Sequence, residues 1–216
     1  YAKPESLRVE LTKKFGFFPL FRFWGPATDI SSSQWIGDAT VHVMETRDPT
    51  LTLAYFPHLD YNLQRLGPDH PDIAIDLREV DKVCGEVIKR AELEGARIIV
   101  LSEYGITPVN RPVHLNRVLR NAGLIQVREE EHDREILDPG ASDAFAVADH
   151  QVAHIYVRDK SRLDEIKALI ESQPGVEKVL DAATKAAHGL DHDRAGDLIA
   201  ISDADAWFTY YYWLDD

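Results

Sequence analysis

Two short stretches hold the side chains most able to do chemistry. They are Tyr55-Phe-Pro-His-Leu-Asp-Tyr-Asn-Leu-Gln-Arg-Leu-Gly-Pro68 and Leu101-Ser-Glu-Tyr-Gly-Ile-Thr-Pro108. Each follows an apolar β-type run, Leu51–Phe56 or Arg97–Leu101, and each carries a carboxylate, Asp60 or Glu103. Two carboxylates converging on one rim suggest a metal or acid/base site. Asp60 and Gln64 are four residues apart, so a helical turn sets them on one face. Gln64 offers only a neutral carbonyl oxygen, a poor zinc ligand, and His58 is the alternative partner for Asp60. The plainer readings are Asp60 as a capping residue, His58 as an exposed loop residue and Glu103 as a satisfied rim carboxylate. Gly105 allows close backbone approach to a ligand, and Tyr104 can bond a phosphate oxygen or cap a sheet.

The elements that must position these residues follow from periodicity. Strand, loop, helix, strand is the unit of a parallel sheet, whose ligands sit beyond the carboxyl ends of the strands. Leu51–Phe56 and Arg97–Leu101 are the strands, and the latter is apolar enough to be covered on both faces. Between them, Pro71–Glu94 is a helix. Its stripe of Ile73, Leu77, Val80, Cys84, Val87 and Ala91 ends at Gly95. Pro4–Phe15 and a segment beginning at the serines 31–33 read as earlier helices, the second ended by Asp48-Pro49. Pro112–Asn121 is a short helix stopped by Gly123, and Leu124–Val127 a strand. The charged run Glu129–Glu135 reads as a solvated hairpin or loop. Val152–Val157, a helix from Ser161 and Val176–Leu180 make a small β-α-β unit, followed by strands at Asp197–Ile201 and Ala206–Trp213. Residues from about 124 to 195 are expected to form a small subdomain. His150 and His154 flank a strand start and read as core or rim histidines.

Composition narrows the classes. The 216 residues are 44% hydrophobic and 28% charged, with a formal charge of −13. Such an acidic chain lacks the clustered cations that nucleic-acid backbones require. A phosphorylated substrate would need a metal or a few placed cations against that field. The single cysteine, Cys84, rules out an intrachain disulfide and a thiolate zinc site, and its place on the apolar stripe makes it a core residue. No apolar run is long enough to span a bilayer and no leader is seen, so a cytoplasmic location is expected. The start at Tyr1 and the stop after an aromatic run read as cut ends of a longer protein.

The order of motifs resembles the type I phosphodiesterase/nucleotide pyrophosphatase branch of the alkaline phosphatase superfamily. Its elements stand here as Asp60, Gln64 and Gly67-Pro68, then Glu103-Tyr104-Gly105-Ile106-Thr107-Pro108, then Leu115-Asn116 through Gly123-Leu124. His192-Asp-Arg-Ala-Gly-Asp-Leu198 resembles the strand before the family's last metal histidine. The resemblance implies an α/β fold with a central, mostly parallel sheet flanked by helices and a small inserted α+β subdomain. It implies a two-metal phosphoester hydrolase acting on a small phosphorylated substrate, with zinc the first choice of metal and Mn or Mg following where oxygen ligands dominate. On that pattern Asp60, Glu103 and His192 would hold metal. Gln64, Tyr104 and Asn116 would line the substrate pocket. The nucleophile would lie upstream of this chain and a final histidine downstream. Gln64 and Tyr104 stand where the family has histidines, and Glu103 where it has Asp. Those departures open a second expectation, a degenerate relative that binds a phosphorylated ligand or a partner without hydrolysis. A third is an interaction domain docking through Trp24, Trp207 and Trp213.

Overall fold

The computed structural model describes residues 2–131 and 134–215. The chain divides after Pro108 into two compact units.

The amino-terminal unit is helical. Helix α1, Glu5–Phe15, has Glu5 in its first turn and Lys13 and Lys14 in its last, matching the helix dipole. Helix α2, Ser31–Arg47, starts where the Asp29 carboxylate accepts the Ser31 N–H (3.0 Å) and ends at Asp48 in a left-handed conformation. Helix α3 runs His58–Leu66, and Gly67, with φ of 82°, turns the chain away. Helix α4, Ile73–Leu93, lies against α2 at Gly37, where an added Cβ would come within 2.7 Å of Val83 Cγ1. Glu10 of α1 is tied to α2 through His42 (2.6 Å) and Arg47 (2.5 Å).

Two features differ from the sequence reading. The buried face of α4 is Ile73, Asp76, Val80, Val83 and Ala91, whereas Leu77 is exposed and Cys84 half-buried. Apolar spacing marks a stripe, but the neighbouring helices decide which edge of it is covered. Leu51–Phe56 and Arg97–Leu101 form no ladder with any described residue, and Leu53 and Leu101 are 87% and 78% exposed. Apolar runs predict a preference for strand. A strand itself exists only through partners that local sequence does not specify.

The carboxyl-terminal unit carries the sheets. Strand β1, Arg111–Val113, leads into helix α5, Leu115–Asn121, and Gly123 follows with positive φ. Strands β2, Val127–Glu130, and β3, Arg134–Leu137, form an antiparallel hairpin. His132 and Asp133, inside the charged run expected as a hairpin or loop, lie outside the described residues. Then come β4, Ala144–Asp149; β5, Val152–Val157; α6, Leu163–Glu171; β6, Val176–Leu180; α7, Ala182–Ala187; β7, Leu198–Ser202; and β8, Ala206–Phe208. The main sheet has the order β4-β5-β7-β6 and is antiparallel throughout, so β5 and β6 run parallel with β7 inserted between them. Among the described residues, parallel pairing occurs between β1 and β8. The sheet reaches past residue 195 to include β7, and the strand expected at 206–213 stops at Phe208. Helices α5 and α6 bury Leu115, Leu119, Ile166 and Ile170 in one core with Ile155 and Phe208. That burial of alternating strand and helix residues is what holds the unit together.

Candidate functional site

Asp60 lies in the first turn of α3, where its negative charge meets the positive end of the helix dipole. One turn later Gln64 directs its amide nitrogen at both Asp60 oxygens, 3.0 Å from each. The Tyr104 hydroxyl donates a short hydrogen bond to Asp60 Oδ1, and the Trp24 indole N–H donates to Oδ2 at 2.6 Å. Trp24 also packs edge-on against Tyr61, 5.2 Å between ring centres. Ser102 fixes the turn before Tyr104 by donating to the Tyr104 carbonyl at 2.6 Å. Asp60 and Gln64 are thus together as their spacing suggests, Tyr104 meets them from the second motif, and Trp24 joins from an aromatic stretch that gave no such signal.

The electrostatics follow from this geometry. The Tyr104 phenol is pushed far above its ordinary value, first by its hydrogen bond to Asp60, then by burial and by the charges of Asp60 and Glu103. Burial, followed by the charges of Glu103 and Asp60, also raises Tyr55. Tyr104 therefore stays a neutral hydrogen-bond donor throughout the physiological range.

Whether zinc fits at Asp60 is a question of donor chemistry. Zinc takes thiolate, imidazole or carboxylate. Around Asp60 the phenol is protonated and the amide presents its N–H, so Tyr104, Gln64 and Trp24 all give hydrogens to the carboxylate rather than electron pairs to a cation. These three residues fit a hydrogen-bonded carboxylate and do not fit zinc as ligands.

A second grouping lies between α3 and α4. His58, the first residue of α3 and 2% exposed, places Nε2 3.1 Å from Glu79 Oε2 and 3.6 Å from Asp76 Oδ1. Asn62 donates to Asp76 Oδ2 at 2.6 Å. His58, Asp76 and Glu79 each present a ligand atom, and these atoms all lie within 4.8 Å of one another. The sequence offers His58 as a partner of Asp60 or as an exposed loop residue; it is instead buried, because it begins a helix that packs on α4. Asp76 and Glu79 stand one turn apart on the long helix, an i,i+3 pair that shares a side of it.

Two further expected site residues belong to the carboxyl-terminal unit. Asn116 is buried in α5, accepting the Ala146 N–H at 2.8 Å and donating to the Ala146 carbonyl at 2.9 Å. His192 sits on an exposed loop before β7, its Nδ1 accepting the Arg194 N–H at 3.0 Å. Of the other histidines, His154 accepts the Gly196 N–H at 3.0 Å, and His150 pairs with Asp149 at 2.8 Å. Among the described residues, no helix is long and apolar enough to cross a membrane.

Comparison with known proteins places this geometry. The whole chain, residues 1–216, matches the family described as type I phosphodiesterase/nucleotide pyrophosphatase. An uncharacterized pyrophosphatase/phosphodiesterase of Schizosaccharomyces pombe is 41% identical over 76 residues, which is 32% of this chain and 16% of that protein. Phosphonoacetate hydrolase from Sinorhizobium meliloti, solved with phosphonoacetate, superposes with a TM-score of 0.58 at 19% identity, over 83% of this chain and 43% of its own. Murine ectonucleotide pyrophosphatase/phosphodiesterase 5 gives 0.55 at 20% identity, over 84% and 46%. An inactive variant of it has been solved with AMP. The chain thus spans less than half the length of these solved proteins. Their likeness establishes an alkaline-phosphatase-like α/β fold.

Proposed function

The chain belongs to the type I phosphodiesterase/nucleotide pyrophosphatase family, and from that premise we propose that the whole protein is a metal-dependent hydrolase of a phosphoester bond in a small phosphorylated molecule. The observation that carries this reading is the gathering of Asp60, Tyr104 and Gln64 at one point, from the two motifs in which the family keeps its reaction centre. Asp60 acts here as a positioning residue: it fixes the Tyr104 phenol and keeps its proton in place. A phenol held neutral beside the site offers a hydrogen-bond donor to a phosphate oxygen without adding charge. The carboxylates of Asp60 and Glu103 repel a phosphate anion, so productive binding requires a cation to offset them. Because Tyr104, Gln64 and Trp24 offer the Asp60 carboxylate hydrogens rather than electron pairs, a divalent ion that supplied this charge would be held by other residues of the whole protein. The ligands in the solved relatives, AMP and phosphonoacetate, support a small phosphorus-containing anion as the substrate class.

Ligand binding without turnover is the second reading, favoured by one observation: hydrogen donors surround the carboxylate where the family pattern expects histidines. The full-length protein, assayed on an aryl phosphodiester with Zn, Mn or Mg supplied in turn, separates the two. Hydrolysis that falls about 100-fold or more in Asp60→Asn, in the range of a lost preorganising contact, supports the enzyme. Unchanged turnover in that variant removes Asp60 from the site. No turnover by the wild-type protein with any ion, together with measurable AMP binding, selects the binding protein.

A further inference from the structure

We propose that His58, Asp76 and Glu79 form a divalent-cation site between α3 and α4, separate from the Asp60 carboxylate and independent of whether hydrolysis is the activity. The donor types come first. One imidazole and two carboxylates are a set that first-row divalent ions take, unlike the phenol and amide gathered at Asp60.

Geometry comes second. Ligand bonds of about 2.0–2.2 Å place two donors on one ion no more than about 4.4 Å apart. The His58–Glu79 and His58–Asp76 separations of 3.1 and 3.6 Å already lie inside that limit. The widest separation in the trio is within 4.8 Å, so closing it takes about 0.4 Å at most.

The surroundings then orient the set as a metal shell is oriented. Asn62 holds Asp76 through Oδ2 and leaves Oδ1 facing His58, the kind of outer contact that fixes a ligating carboxylate. The His58 side chain is 3% exposed, its Nδ1 has no hydrogen-bond partner among the described residues, and its other nitrogen points between the two acids. A buried imidazole anchored at neither side by backbone is thus committed to the carboxylate pair. Two carboxylates carry two negative charges, one of them on nearly buried Asp76. A protonated imidazole offsets one charge, and a divalent ion offsets both. Glu79, whose side chain is 45% exposed, gives an ion and its remaining waters a way in.

The test uses the full-length protein, stripped with chelator and titrated calorimetrically with Mn²⁺ alone. At least one site is expected, and the His58 site is the one that responds to changes at Asn62 of α3 and Glu79 of α4. Glu79→Gln, a half-exposed substitution that keeps shape, should weaken it about 10- to 100-fold, and Asn62→Ala about 10-fold, the range seen when supporting groups around a metal are lost. Asp60→Asn should change the affinity less than about twofold, since additivity holds for sites without shared partners. Circular dichroism of each variant separates lost ligation from lost folding. Absence of Mn²⁺ binding by the wild-type protein, or equal affinity in folded Glu79→Gln, overturns the proposal and leaves the trio a buried ion pair. Loss in Asp60→Asn with retention in Glu79→Gln overturns it in favour of Asp60. Because the readout is binding, its failure is distinct from failure to hydrolyse a phosphodiester.

Discussion

Replacing Asn116 by alanine tests whether this residue clamps the sheet or lines a substrate pocket. Strand β4 is the outer strand of the four, and Asn116 meets Ala146 there with both halves of its amide, much as a further strand would. Asn116 is 3% exposed, so water does not replace it readily. Truncation strands the Ala146 N–H and carbonyl, each at about 1–3 kcal/mol when left without a partner. The expected loss is therefore about 2–6 kcal/mol, towards the lower end if a water enters the vacated space. Against a total of about 5–15 kcal/mol for a typical domain, that is a large share. Urea unfolding of the full chain, followed by hydrogen exchange at the Ala146 amide, reads it out. The clamp predicts a lower midpoint and loss of protection at Ala146. A change below about 0.5 kcal/mol, the level of an ordinary surface substitution, with the amide still protected, would refute the reasoning. A pocket residue would instead alter ligand affinity while leaving the midpoint in place.

Tyr104 makes its contact as a neutral phenol, and its folded-state value is raised. The contact is thus complete below about pH 10, the value of a free tyrosine, and is lost as pH climbs through the folded value. Ultraviolet titration of tyrosinate should lose its highest-titrating component in Tyr104→Phe and show it moved downward in Asp60→Asn; identical curves for all three proteins would contradict the hydrogen bond. Gly196→Ala would press a Cβ against backbone, to within 2.7 and 2.8 Å of Ile155 N and O and 2.9 Å of Leu198 O, and should cost about 1–3 kcal/mol or more. Gly85→Ala, in the interior of α4 with nothing within 4 Å, should instead stabilise by about 0.5–1 kcal/mol. Thermal melts of the two variants moving in the same direction would count against that account.

Helices were the most legible part of the chain, because a stripe and a stop signal are local. Gly16, Asp48, Gly67 and Gly123 end their helices close to where punctuation places them. The small sheet was legible as strands but not as an order: β7 inserts between β5 and β6, a long-range pairing that alternation alone does not encode. At the candidate site, Asp60 and Gln64 were legible because four residues make one helical turn. Tyr104 followed from its motif, 44 residues away from Asp60. Trp24 was not legible as a neighbour of Asp60, since its indole reads as a docking group until the carboxylate it donates to is seen. The His58 trio was missed for a related reason. Its members are 18 and 21 positions apart, and only the packing of α3 on α4 makes them neighbours.

The short stretch His58-Leu-Asp60 divides the chemistry of the amino-terminal unit. Two residues along a helix are separated by about 200° of rotation, so His58 and Asp60 leave α3 on opposite sides. His58 turns inward to Asp76 and Glu79 on α4, while Asp60 turns to Tyr104 and Trp24. The two sides differ in what surrounds the carboxylates. On one, hydrogen donors gather around a single acid and hold its lone pairs; on the other, a buried imidazole faces two acids whose combined charge it cannot match. The first arrangement suits a proton-holding contact that orients Tyr104, the second a cation. A chain whose sequence departs from its family at positions 64 and 104 thus loses donors of electron pairs on one face of α3 while presenting three on the other, and only a binding measurement that separates Asp60→Asn from Glu79→Gln assigns the ion to a face.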